Sequence, residues 1–179
     1  MSTGNIILLC GDSGSGKTTL LLKMIEKLKG DKLVIKGILS PAVFQDARKT
    51  GINMLDVFTG EERTFAAPND SGETYLSTRG WKMDPKTMEY AKTALQQATP
   101  CDILFVDELG PLEFDRGEGL IEGFSAINSR AYQLALVTIR PILLEKARAL
   151  WPDAKVSIVT RDSQDALISE LLELTTSIQ

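Results

Sequence analysis

Histidine is absent from this chain of 179 residues. Its absence removes imidazole zinc sites, Ser-His-Asp triads and histidine general bases together. Cysteine is nearly absent: Cys10 and Cys101 each sit beside an expected strand and lack metal-ligand spacing. Two isolated cysteines in a chain of this length read as reduced thiols of a cytoplasmic protein, with Cys10 a small buried residue. No apolar run approaches the ~20 residues of a membrane span, so no membrane partner is expected. The apolar run near the N-terminus is too short for a secretory signal. Repeats and low-complexity tracts are lacking. Positive charge is not in excess either: 20 Lys and Arg against 24 Asp and Glu leave a net −4. That balance weighs against extensive nucleic-acid binding, with Arg48 and Lys49 a local exception. An N-K-x-D base-reading motif is missing, so nothing in the chain selects GTP by that route.

What is present is ordinary for a globular protein: 43% hydrophobic and 25% charged residues. The length suits one domain, residues 1–179, with a sizeable core. The organising stretch is Asn5 to Leu22, NIILLCGDSGSGKTTLLL. Ile6–Cys10 is a short apolar run, the length of a strand buried on both faces. Gly11 to Thr18 fits the phosphate-loop pattern G-x-x-x-x-G-K-[ST]. Leu20, Leu21, Met24, Ile25 and Leu28 then recur at helical spacing. Strand, glycine loop and helix is the context this motif requires; a plain glycine-rich turn is the bland alternative.

The chemistry follows from the residue types. Loop glycines bring backbone N–H groups close to phosphate oxygens, and the helix start points its positive dipole end at the same place. The nucleotide-binding set is Gly11, Asp12, Ser13, Gly14, Ser15, Gly16, Lys17, Thr18 and Thr19. Lys17 supplies a full charge at the β/γ position, and Thr18 can place its hydroxyl on Mg²⁺.

A second key stretch is Asp102 to Glu108, in which the buried-strand run Ile103–Val106 ends in two carboxylates. Asp107 suits the acidic metal-holding residue at the end of a strand beside the loop, and Glu108 the group that orients and deprotonates the attacking water. Any strand can end in Asp-Glu; the upstream loop gives this one its meaning. Thr138 and Arg140 follow a further apolar strand, Ala131–Thr138, at the edge where ligands bind in an open α/β sheet. Arg140 can stabilise γ-phosphate charge, or be a surface arginine before a proline-started helix. Arg161 is open in the same way between a base or ribose contact and a surface role.

The rest of the chain predicts a strand over Leu33–Leu39 and a polar loop over Ala42–Thr50, either a candidate lid or a solvated connector. Strands are expected over Ile52–Phe58, Arg63–Ala66 and Thr74–Ser77, making 40–80 a β-rich insertion beside the nucleotide core. Asp84-Pro85 reads as N-cap and first residue of a helix running to about Thr99. Leu109–Glu113 reads as a turn, and helices are expected over Gly117–Ile127 and Ile142–Trp151. Val156–Val159 reads as the last strand. A terminal helix from Asp162–Ser163 buries Leu167, Leu171 and Leu174.

These motifs resemble the small phosphate-loop nucleoside-triphosphatases of the cancer-related or thermophilic type. The resemblance runs nearly end to end. It rests on GDSGSGKTTL at 11–20, GILSPAVFQDARKTGINMLDVFTGEERTFA at 37–66, LFVDELGPLEF at 104–114 and ALVTIRP at 135–141. The resemblance implies a RecA-like α/β fold, a mostly parallel sheet flanked by helices with an antiparallel addition. It implies slow Mg²⁺-dependent hydrolysis of several nucleoside triphosphates. Carried over by position, Lys17 and Thr18 take phosphate and metal, Asp107 the metal and Glu108 the base, while Glu113 matches an acidic residue of unassigned role. The chain departs from many members after Ser40, where Ala42–Phe44 is apolar in place of an acidic residue and an arginine. Two other readings share this core: a nucleoside or small-molecule kinase with an acceptor pocket in 40–80, and a nucleotide-dependent switch.

Overall fold

A computed structural model describes residues 4–70, 77–78 and 80–176. The apolar runs form a parallel sheet of five strands: β1 (Asn5–Cys10), β2 (Ile35–Leu39), β8 (Ile103–Val106), β9 (Leu134–Ile139) and β10 (Lys155–Ile158). Their order is β10-β1-β9-β8-β2. One strand, β9, therefore separates the strand that carries the glycine loop from the strand that carries the carboxylates. In register, Cys10 pairs with Ile139, and Val106 with Val137, so loop, carboxylates and Thr138 emerge at one edge.

The sheet continues past β2 as an antiparallel extension. Strand β4 (Arg48–Asp56) pairs with β2, with β3 (Ala42–Gln45) and with β5 (Glu62–Pro68). Strands β6 (Ser77–Thr78) and β7 (Trp81–Met83) complete it. The expected α/β fold, with helices flanking the sheet and an antiparallel β addition, is the one observed. Of the expected strand over Thr74–Ser77, residues 74–76 lie outside the described residues.

Alternation along each strand feeds two cores. Ile6 and Leu8 join Leu104, Val106, Ala135 and Val137 on one face, under α2 (Pro85–Gln96), α4 (Glu122–Asn128) and α5 (Leu144–Leu150). Ile7 and Leu9 join Phe105 and Leu136 on the other, under α1 (Lys17–Leu28) and α6 (Gln164–Thr176). Each fully buried Leu or Ile contributes about 1.5–3 kcal/mol. Asp84 caps α2 as expected, accepting from the Thr87 N–H at 2.8 Å.

Four expectations are corrected. Ala42–Thr50 is not a loop: β3 and the start of β4 form a tight hairpin. Asp46 and Ala47 turn it at φ 48° and 62°, positive at both positions as a two-residue hairpin requires. The usual glycine is replaced by alanine, which hid the turn. Leu109–Glu113 is not all turn, because Pro111 starts a short helix, α3 (Pro111–Arg116). Gly117–Ile127 is not one helix either: Gly119 lies at φ 74° and the α4 helix begins only at Glu122. On α6 the buried residues are Ile168, Leu171 and Thr175, whereas Leu174 is on the exposed side. Among the described residues, no helix is long and apolar enough to cross a membrane.

Candidate active site

Gly16 ends the loop at φ 94° and the α1 helix begins at Lys17, with no side chain capping its first N–H groups. Those groups are left for a ligand. The φ of 94° at Gly16 favours glycine, and a Cβ here would also push aside the Gln164 side-chain amide, 2.1 Å away. Gln164 Nε2 in turn donates to the Ser15 carbonyl at 3.4 Å, seating the start of α6 against the loop. Lys17 is buried, and its Nζ donates to the carbonyls of Gly11 (2.7 Å) and Asp12 (2.9 Å). Burial holds its pKa below the usual lysine value, against the pull of Glu108 and Asp107. A ligand with phosphate charge restores what burial removes. Thr19 is exposed on the first turn of α1, and Arg161 is exposed ahead of α6.

Asp107 is buried where β8 ends, and three donors meet it. Thr18 Oγ1 donates to Oδ2 at 2.8 Å, the Ser40 N–H to the same oxygen at 3.0 Å, and Thr138 Oγ1 to Oδ1 at 2.6 Å. Burial pushes its pKa up, the Glu108 charge adds to the rise, and the three hydrogen bonds oppose it. Because Thr18 Oγ1 donates its hydrogen to Asp107, its lone pairs stay available. Hydroxyl and carboxylate oxygens make a hard donor set, which suits Mg²⁺ shared with phosphate oxygens.

Glu108 follows at φ 58°, a left-handed conformation uncommon for a residue with a side chain. Its N–H donates to Thr138 Oγ1 at 2.8 Å, so one hydroxyl links both carboxylate residues. Arg140 Nη2 lies 3.6 Å from Glu108 Oε1. The loop behind is braced by Glu113. Its Oε2 accepts from the Gly110 N–H at 2.8 Å and its Oε1 from the Leu120 N–H at 2.9 Å. A Cβ at Gly119 would sit 2.2 Å from Glu113 Oε1. Aromatic packing holds the base of this loop: Phe114 and Phe124 meet edge to face at 5.0 Å, beside Trp151.

The structure thus brings Lys17, Thr18, Asp107, Glu108 and Arg140 to one edge. Sequence reasoning missed the Ser40 backbone donor, the two bonds of Thr138, the brace by Glu113 and the seating of Gln164. Ser40, Thr138 and Glu113 fell inside quoted motifs; Gln164 carried no signal. A cavity of about 480 Å³ opens beside Lys17 and Glu108.

A glycine loop on a buried-strand edge, facing a second strand that ends in paired carboxylates, defines a phosphate-loop nucleotide protein. A family model described as NTPase matches residues 6–172, and the chain belongs to that family. Curated relatives bear the name nucleoside-triphosphatase THEP1. The protein of Ignicoccus hospitalis is 28% identical over 169 residues, 94% of this chain and 95% of its own. That of Saccharolobus solfataricus is 28% identical over 107 residues, 60% of this chain and 61% of its own. Among solved structures, a human cancer-related nucleoside triphosphatase superposes with a TM-score of 0.71 at 21% identity, covering 98% of this chain and 99% of that one. THEP1 of Aquifex aeolicus gives 0.66 at 20% identity, covering 94% and 98%.

Proposed function

We propose that this chain is a cytoplasmic enzyme hydrolysing nucleoside 5'-triphosphates, ATP and GTP among others, to diphosphate and phosphate with Mg²⁺. The observation that carries the reading is the buried Asp107 carboxylate accepting from both Thr18 Oγ1 and Thr138 Oγ1 beside Lys17 and Glu108. In this reading the backbone of 11–16, Lys17, Thr18 and Thr19 hold the phosphates. Thr18 and Asp107, the latter directly or through water, hold Mg²⁺, which when bound neutralises charge on the β- and γ-phosphate oxygens. Glu108 accepts the proton of the attacking water. Arg140, beside it, stabilises charge that develops on the γ-phosphoryl oxygens. Position and electrostatics supply most of the acceleration. The family membership and the relatives' names support hydrolysis, and the oxygen donor set supports Mg²⁺.

The test is phosphate release from ATP, GTP, CTP and UTP by wild type and Glu108→Gln. The variant is expected to bind a non-hydrolysable analogue normally and to release phosphate about 10²-fold or more slowly, as loss of a general base implies. Near-normal turnover would remove Glu108 from the mechanism.

A further inference from the structure

Hydrolysis needs room for one water molecule, whose share of liquid volume is about 30 Å³. The cavity, which includes the phosphate site at Ser13 and Lys17 and extends past Glu108, is about 480 Å³ in all, within the roughly 300–1,000 Å³ of small-molecule sites. Its two ends differ in chemistry. At one end are Ser13, Lys17, Glu108 and Arg140, the groups placed around the phosphoryl in the proposed reading. At the other the antiparallel extension and the α2 helix supply a mostly apolar wall of Ile52, Phe65, Trp81, Met83 and Met88, with the Lys49 ammonium 4.8 Å over the Trp81 ring. Phe65 and Met88 are buried, and Trp81 and Met83 pack against the same core. Thioethers and aromatic rings suit a flat apolar molecule and adapt to its outline. A wall of this kind contributes nothing to activating water.

We propose that this cavity seats a phosphoryl acceptor: a planar, largely apolar small molecule bearing a hydroxyl group, with that hydroxyl turned toward Glu108. The proposal rests on the placement of the γ-phosphate given above. An alcohol is the class that matches, because Glu108 is an acceptor of protons and an alcohol oxygen has one to give up. The acceptor oxygen forms a bond to the γ-phosphorus as the bond from that phosphorus to the β,γ-bridging oxygen breaks. The nucleoside diphosphate leaves with the electron pair, and the hydroxyl proton passes to Glu108 and on to solvent. The products are a phosphomonoester and a nucleoside diphosphate. Hydrolysis is then what the same machinery does when water fills the cavity.

The experiment uses the full chain with Mg²⁺ and ATP, and three probes at millimolar concentration: benzyl alcohol, 2-naphthalenemethanol and 4-pyridinemethanol. Diphosphate and inorganic phosphate are measured in the same samples, and phosphorus NMR looks for the phosphomonoester. The expected result is diphosphate in excess of phosphate with at least one probe, the excess matched by the new ester. Trp81→Ala is expected to lower the ratio of ester to phosphate tenfold or more. Ala66→Leu, which adds bulk to the wall from β5, is a second variant with the same expected outcome. Equal diphosphate and phosphate with all three probes overturns the acceptor proposal and leaves hydrolysis standing. A ratio unchanged in both variants overturns the assignment to this cavity. Release of neither product overturns the proposal together with the hydrolase reading, so the two failures are told apart.

Discussion

Thr138 holds the two carboxylate residues in one arrangement by accepting from the Glu108 N–H and donating to Asp107. The residue is fully buried, so water does not replace it. Thr138→Val keeps the shape and removes both bonds. It is expected to cost about 1–3 kcal/mol, the range for an unsatisfied buried polar group, and to slow phosphate release more than tenfold. Thr138→Ser is expected to restore most of both. Chemical denaturation and steady-state turnover of the two variants check this. A Thr138→Val protein with normal turnover would show that the hydroxyl only supports the fold.

Among the elements, the carboxylate loop and its short α3 helix depend on Glu113. Burial is the main cause that raises its carboxyl pKa, and bonds from the Leu120 and Gly110 N–H groups oppose the rise. A carboxyl whose folded pKa exceeds the unfolded value of about 4.3 binds its proton more tightly when folded. Its contribution to stability is therefore greatest below that unfolded value and declines as pH rises through the folded one. Glu113→Gln lacks the titration and also one acceptor oxygen. It is expected to be less stable at acidic pH and to have a flatter stability profile from pH 4 to pH 8, by urea denaturation. A variant with the wild-type slope would assign the pH dependence to other groups. At the β3–β4 hairpin, Ala47 holds φ 62°. Ala47→Gly relieves a left-handed cost of about 1–2 kcal/mol and adds unfolded-chain entropy worth about 0.4–1 kcal/mol. A net gain of roughly 0.5–1 kcal/mol is expected from the midpoint of denaturation.

For the whole molecule, nucleotide binding couples the parallel sheet to the loop it carries. A ligand that binds only the folded state at about 100 times its dissociation constant adds ~2.7 kcal/mol. At about 2–4 °C per kcal/mol for a chain of this size, Mg²⁺ with a non-hydrolysable triphosphate is expected to raise Tm by roughly 5–10 °C. Lys17→Ala is expected to abolish most of that shift, because it removes the buried charge proposed to meet the phosphates. A full shift in the variant would count against the loop as the phosphate site.

Local chemistry was legible wherever one segment carried its own pattern. The strand-loop-helix at 5–28, the Asp84 cap and the buried strand ending in Asp107-Glu108 are each set by neighbours in sequence. Periodicity, glycine placement and capping act over a few residues. What joins Thr18 to Asp107 and Thr138 is the order β1-β9-β8, which brings residues 89 and 31 positions away into contact with one carboxylate. The hairpin at Asp46-Ala47 went unread because its positive φ angles are held by strand pairing and not by glycine. The cavity wall is likewise a product of pairing and packing, since Ile52, Phe65, Trp81 and Met88 come from four different elements. The residues by themselves determined that a glycine loop with its lysine and a strand ending in paired carboxylates are present. Only the tertiary structure decided which groups hydrogen-bond to the Asp107 carboxylate and which side chains line the cavity beside Lys17, because contacts across a sheet are fixed by strand order and register.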